Sequence, residues 1–148
     1  MLLLDVNVWV YAHREDVPGH QQYKRFVETV LESDSPFALS TLVMSGFLRV
    51  VTHPRIFDPP TPLQTALLFT ESILAHPDGV IVAPGRHHWR IFMELCDKVS
   101  ARGNLIPDAY FAALAIESGN TWVTTDRDFS RFPELEWKHT RTAFEAVQ

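Results

Sequence analysis

Cysteine is almost absent from this chain: Cys96 stands alone, so no internal disulfide can form and a reducing compartment is expected. No apolar run approaches the length of a membrane span. Leu2 to Leu4 is too short for the apolar centre of a signal peptide, and Asp5 interrupts it. A soluble, cytoplasmic protein with no membrane partner is the expectation. The six glycines form no phosphate-cradling loop, and no Gly-x-Ser-x-Gly elbow supports serine-hydrolase chemistry. Seven histidines do not make a zinc site, because His87 and His88 diverge on a helix and no cysteine set joins them. Positive charge is also short, with Lys+Arg 13 against Asp+Glu 18 and a net charge of -5. That balance argues against unspecific nucleic-acid binding. It leaves a nuclease possible, because acids gathered at a metal site inflate the negative count and the ion offsets them.

What is present is an ordinary globular composition, 46% hydrophobic and 21% charged over 148 residues, enough for one domain spanning 1–148 with a proper core. Residues 2–5 read as an apolar strand, continued at 8–11 beyond Asp5-Val6-Asn7. Tyr23, Phe26, Val27, Val30 and Leu31 recur at helical spacing, and Ser33-Asp34-Ser35-Pro36 stops that helix. Phe37-Ala38-Leu39 is a short buried strand, followed by a helix over Leu42 to Val51 capped by Ser40 or Thr41. Thr61 and Pro62 are suited to cap and open the next helix, which carries Leu63, Ala66, Leu67, Thr70 and Leu74. Val80-Ile81-Val82 is a third strand, and Trp89, Phe92, Met93, Cys96 and Val99 mark an amphipathic helix. Pro107 opens a helix closed by Gly119, Thr121-Trp122-Val123-Thr124 is a β-branched strand, and Leu135-Glu136-Trp137 is a last edge strand. Strands alternating with helices predict an α/β fold, a three-layer α/β/α sandwich around a parallel sheet of four to five strands.

Ligands in such sheets bind at the carboxyl ends of strands, and acids fall there. Asp5 closes a leucine strand, where it is either a turn residue bonding nearby backbone or a site residue. Asp108 follows Pro107 in a first helical turn, where an acid suits the helix dipole but is also aimed outward as a ligand would be. Asp126 is either the cap of a short turn or, with Asp128, part of an oxygen-only site for magnesium or manganese. Each acid has a structural explanation by itself; three loops converging on one sheet edge favour a shared cation.

The lettering around these acids resembles the PIN-domain family, and within it the VapC-type toxins of bacterial toxin–antitoxin pairs. The likeness rests on Leu4-Asp5-Val6-Asn7, on Pro107-Asp108-Ala109 with Ala112-Ala113-Leu114-Ala115, and on Thr124-Thr125-Asp126-Arg127-Asp128-Phe129. The stretch from Leu48 to Phe57 is similar to one branch of those toxins, and the likeness spans nearly the whole chain. It implies a metal-dependent endoribonuclease acting on structured RNA, transfer RNA before ribosomal RNA. Asp5, Asp108 and Asp126 would be the catalytic metal ligands for Mg²⁺ or Mn²⁺, with Asp128 a further acid and Asn7 and Ser45 supporting. A VapB-like antitoxin and a homodimer are the implied partners.

The chain departs from the family in one place. A glutamate usual early in the second helix would fall near Ser45-Gly46, yet no acid occurs between Asp34 and Asp58. An impaired PIN domain kept as a binding module is therefore an alternative. A phosphohydrolase of haloacid-dehalogenase type, suggested by Asp5-x-Asn7, is another, though it wants a second aspartate at position 7. For RNA contacts, Arg14, Arg49, Arg55 and Arg127 are candidate phosphate ligands against the bland reading of a solvated face. Trp9, Tyr11 and Phe57 are either core or base-stacking aromatics.

Overall fold

The computed structural model describes residues 1–146. Five short strands form one wholly parallel sheet: β1 (Leu2–Leu4), β2 (Phe37–Leu39), β3 (Gly79–Ile81), β4 (Thr121–Thr124) and β5 (Trp137–His139). The helices flanking it are α1 (Val6–His13), α2 (His20–Glu32), α3 (Thr41–Val51), α4 (Leu63–Leu74), α5 (His88–Val99), α6 (Leu105–Ser118) and α7 (Thr140–Ala146). The expected α/β architecture is what forms, with five strands. β2 is buried throughout and β1 and β4 nearly so, which is why they read as apolar runs without alternation.

Strand order is β3-β2-β1-β4-β5. The chain builds outward from β1 to β2 and β3, then returns to the other flank of β1 for β4 and β5. Winding reverses between β1 and β4, so the crevice outside their carboxyl ends is the place where such a sheet accepts a ligand. Trp122 on β4 anchors the core there, stacked on Phe111 at 5.3 Å and tilted against Phe129 at 5.4 Å. Helix α6 lays fully buried Ala109, Ala112, Ala113 and Ala115 into the interior, small side chains that let the helix approach closely.

Several elements differ from expectation, each for a local reason. Residues 8–11 are not strand: they lie in α1, because the Asp5 side chain accepts the Val6 N–H and starts a helix. A short apolar run carries no periodicity that separates the two states. Trp9 is consequently a core residue. Thr61 does not cap α4; its hydroxyl lies 3.3 Å from both His13 Nε2 and Arg14 Nη1, and the helix opens one residue later than expected, after Pro62. The last strand falls at Trp137–His139 rather than 135–137, and α7 follows it unforeseen. Pro107 is the third residue of α6, not its first. On α5, Phe92 and Leu95 face the core while Trp89 and Met93 are exposed.

Helix α3 crosses α1 at Gly46, where an added Cβ would stand 2.7 Å from Val6 Cγ2. Overpacking against a stiff β-branched side chain costs about 1–3 kcal/mol, against ~1 kcal/mol that alanine gains over glycine inside a helix. Gly46→Ala is therefore expected to lower the thermal midpoint, and Val6→Ala in the same chain to restore it. An unchanged midpoint in Gly46→Ala would show that α1 and α3 do not meet this closely.

Candidate functional site

The crevice between β1 and β4 is organised by a relay of hydrogen bonds. The Asp5 N–H donates to the Val123 carbonyl at 2.9 Å, extending the β1–β4 ladder by one residue and seating Asp5 beside β4. Its carboxylate is buried and held at both oxygens: Oδ1 accepts the Val6 N–H at 2.6 Å, and Oδ2 accepts the Thr124 hydroxyl at 2.6 Å. The Thr124 oxygen accepts the Asp126 N–H at 3.0 Å. Asp126 Oδ1 then accepts the Asp128 N–H at 2.8 Å, capping a 3-10 turn over Arg127–Arg131. The expected capping role of Asp126 is thus real, and it occupies one oxygen. Thr124, fully buried and central to the relay, was missed as a site residue; a hydroxyl at the strand end two positions before Asp126 was the available signal.

Asp108 enters from the first turn of α6, half-buried, and among the described residues no protein group donates a hydrogen bond to its carboxylate. Its pKa is raised to about 6, by burial first and then by repulsion from Asp126, Asp5 and Asp128. Asp5 is also pushed up to about 6, by burial first; the Thr124 and Val6 bonds oppose the rise, and Asp126 adds to it. Repulsion among the acids contributes, but loss of water is the larger cause at both residues. Among the described residues no lysine, arginine or histidine makes an ion pair with any of the four acids. The ion pairs that occur lie elsewhere, joining Arg14 to Asp16, Lys24 to Glu28, Arg90 to Glu94 and Lys98 to Glu134.

Four carboxylates that repel one another without a cationic partner suit a hard divalent cation, which takes oxygen ligands. Among the described residues no three Asp, Glu, His or Cys side chains converge tightly enough to enclose an ion by themselves. The oxygen-only donor set is of the kind Mg²⁺ takes, an ion commonly held by one or two carboxylates with waters completing its shell.

Beside Asp108 and Val6 lies a groove of about 690 Å³ between α3 and the α5–α6 pair, lined by Leu42, Ser45, Arg49, Ile106 and Pro107 among others. Ser45 is exposed on it, whereas Gly46 is closed off by Val6, so of the two positions only 45 has room for a side chain. Arg49 is exposed one helical turn after Ser45 in the same groove. Asn7 is partly exposed in α1 and makes no side-chain hydrogen bond among the described residues. Arg55 is exposed on the loop after α3, and nothing joins it to the acids. Arg127 is exposed directly after Asp126.

Arg14, expected to meet phosphate, is engaged in holding that loop instead. It bonds both oxygens of Asp16, the Thr61 hydroxyl and the Pro59 carbonyl, and lies 4.2 Å over the Phe57 ring. Phe57 is occupied by that contact, and Tyr11 packs edge-on against Tyr23 at 5.1 Å.

Comparison with known proteins places this geometry. The PIN domain family profile matches residues 2–135. The VapC ribonuclease Mb2897 of Mycobacterium bovis is 44% identical over 139 residues, 94% of this chain and 95% of its own length. Ribonuclease VapC25 of Mycobacterium tuberculosis is 40% identical over 141 residues, covering 95% and 98% of the two chains. Among solved structures, VapBC2 from Rickettsia felis bound to a DNA fragment from their promoter superposes with a TM-score of 0.69 at 20% identity. That match covers 93% of this chain and 97% of the other.

The electrostatics yield a test on metal-free protein. Asp5 and Asp108 have folded-state pKa values of about 6, above their ordinary 3.8. Between those values the folded state binds more protons than the unfolded one, so their contribution to stability falls as pH rises from about 4 to 6. Asp108→Asn removes one of the two costs. It should raise the metal-free midpoint at neutral pH by about 2–4 °C, or ~1 kcal/mol after solvent screening. A lowered midpoint would mean that the helix dipole outweighs the repulsion, contrary to this account.

Proposed function

The chain belongs to the PIN domain family, and on that footing we infer that it is an endoribonuclease of VapC type, the toxin of a toxin–antitoxin pair. The observation that carries the reading is the group of four acids that, among the described residues, have no cationic partner where the sheet reverses its winding. Asp5, Asp108 and Asp126 would hold a divalent cation, Mg²⁺ or Mn²⁺, with Asp128 in support. When bound, the ion supplies Lewis acidity that activates water and offsets charge on the phosphodiester. The chain's own part is positional. Thr124 and the Val6 N–H hold the Asp5 carboxylate in one orientation, the α6 start mounts Asp108, and the relay fixes Asp126 relative to both. Products with 5′-phosphate and 3′-hydroxyl ends are expected.

The substrate is structured RNA, transfer RNA before ribosomal RNA. Asp128 is exposed and Asp126 partly so, which leaves the acids open to a loop of a folded molecule. A VapB-like antitoxin is the partner, its segment lying in the groove past Leu42, Arg49 and Ile106; a cytoplasmic homodimer belongs to the same reading. Among the described residues no helix is long and apolar enough to cross a membrane. The absence of an acid at Ser45-Gly46 favours one second reading, an impaired PIN domain that binds RNA without cutting it. The haloacid-dehalogenase alternative does not survive membership of the PIN domain family.

Incubation of the purified chain with total transfer RNA and Mg²⁺ or Mn²⁺ should give cleavage that a chelator abolishes. Asp108→Asn should lower the rate by at least about 100-fold, equivalent to roughly 3 kcal/mol of barrier. Equal cleavage by both proteins would sink the metal-site assignment, and binding without cleavage by wild type would favour the impaired module. Ser45→Glu, at the open position of the groove, should tighten Mn²⁺ binding measured by calorimetry. An unchanged affinity would place Ser45 too far from the ion to matter.

A further inference from the structure

Arg127 directly follows Asp126, and the strand flanking β4 on that side is β5, whose last residue leads into α7. The 3-10 turn after β4, the edge strand β5 and the start of α7 bound a cleft of about 310 Å³ lined by Arg127, Ser130, Trp137, His139, Arg141 and Thr142. Trp137 and His139 are two apart on the edge strand and share its partly covered face, whereas Lys138 is exposed on the other. A second cleft of about 590 Å³ lies between α2 and α7, lined by Arg25, Phe144 and Glu145 among others, and Arg141 belongs to both. Among the described residues Arg25, Arg127 and Arg141 make no ion pair with a carboxylate. Three unpaired guanidinium groups thus run from the acids, past the start of α7, to α2.

The chemistry of the first cleft is specific. Two arginines suit phosphates, two hydroxyls suit phosphate or sugar oxygens, and an indole beside an imidazole offers flat faces for a base. Its volume is at the lower end for small-ligand cavities, the scale of one nucleotide. An acidic polypeptide would use the arginines but leave the rings idle; Glu145 in the second cleft repels either polyanion and does not distinguish them.

We propose that these joined clefts form an RNA-strand subsite, in which Arg127 and Arg141 hold consecutive phosphates beside the cleavage position and Trp137 stacks on a base. This rests on the ribonuclease reading of the adjoining acids. The side chains are positioning groups, so their loss falls on binding rather than on the chemical step.

The test compares wild type, Arg141→Ala and Arg127→Ala/Arg141→Ala, all replacing exposed side chains. Three measurements are made: cleavage kinetics on transfer RNA, fluorescence anisotropy of a labelled eight-nucleotide single-stranded RNA in chelator across a salt series, and anisotropy of a labelled polyglutamate peptide under the same conditions. The double variant should raise KM and Kd about tenfold. The slope of log K against log salt should fall by about 1.4, or roughly 0.7 for each phosphate on a single strand. Arg141→Ala, remote in sequence from the acids, should give about half of that slope change. Unchanged KM, Kd and slope in a wild-type background that cleaves would overturn the subsite and leave the ribonuclease reading intact. So would a fall in kcat alone, or a loss of affinity confined to a polyglutamate peptide, which would assign the clefts to a protein partner. If wild type neither cleaves nor binds RNA, the ribonuclease reading fails and the subsite with it.

Discussion

A carboxylate buried at the meeting of two parallel strands is the constraint on which this structure turns. Asp5 has lost most of its water, and an isolated charge in that place would be costly. The fold answers by giving each oxygen a donor, Val6 N–H on one side and the Thr124 hydroxyl on the other. The first bond starts α1, and the second ties β1 to β4 at the point where the sheet reverses its winding. Thr124 can serve because a hydroxyl donates one proton and still accepts another, so the same atom fixes Asp126. One buried acid therefore begins a helix, joins two strands and positions the next acid.

Partial satisfaction is the functional part of this arrangement. Asp5 retains a pKa of about 6 despite two hydrogen bonds, and Asp108 reaches the same value with no donor among the described residues. A protein selected for stability alone would place an arginine among such groups. Here the arginines stand to the side: Arg14 braces the loop before α4, while Arg127 and Arg141 line a cleft next to the acids. Negative charge is gathered where a cation would sit, and positive charge where a polyanion would lie. On the proposed reading, the same separation would let an acidic chain act on RNA.

Legibility from the sequence followed physical locality. β2 and β4 were readable residue for residue because β-branched or aromatic runs bounded by turn signals have few alternatives. The helix end at Gly119 was readable because its φ of 67° suits glycine. Residues 8–11 look like strand because so short an apolar run has no period, and the cap that decides the matter is a side-chain bond. Thr61 looked like a cap because threonine before proline usually is one; its hydroxyl was drawn instead to His13 and Arg14, nearly fifty residues earlier.

The sequence by itself determined the chemistry available: which acids exist, that they follow strands or open helices, and that no acid stands near Ser45-Gly46. These are properties of residue type and neighbours a few positions away. Only the tertiary structure decided how those acids meet. Pairing of β1 with β4 brings Asp5 to Thr124 across 119 residues, burial sets two pKa values, and the crossing of α1 over α3 closes position 46 while leaving 45 open. It also decided which arginines are free, because a guanidinium's partners come from distant loops. Hydrogen bonding, dehydration and steric closure depend on distances that a one-dimensional pattern does not contain.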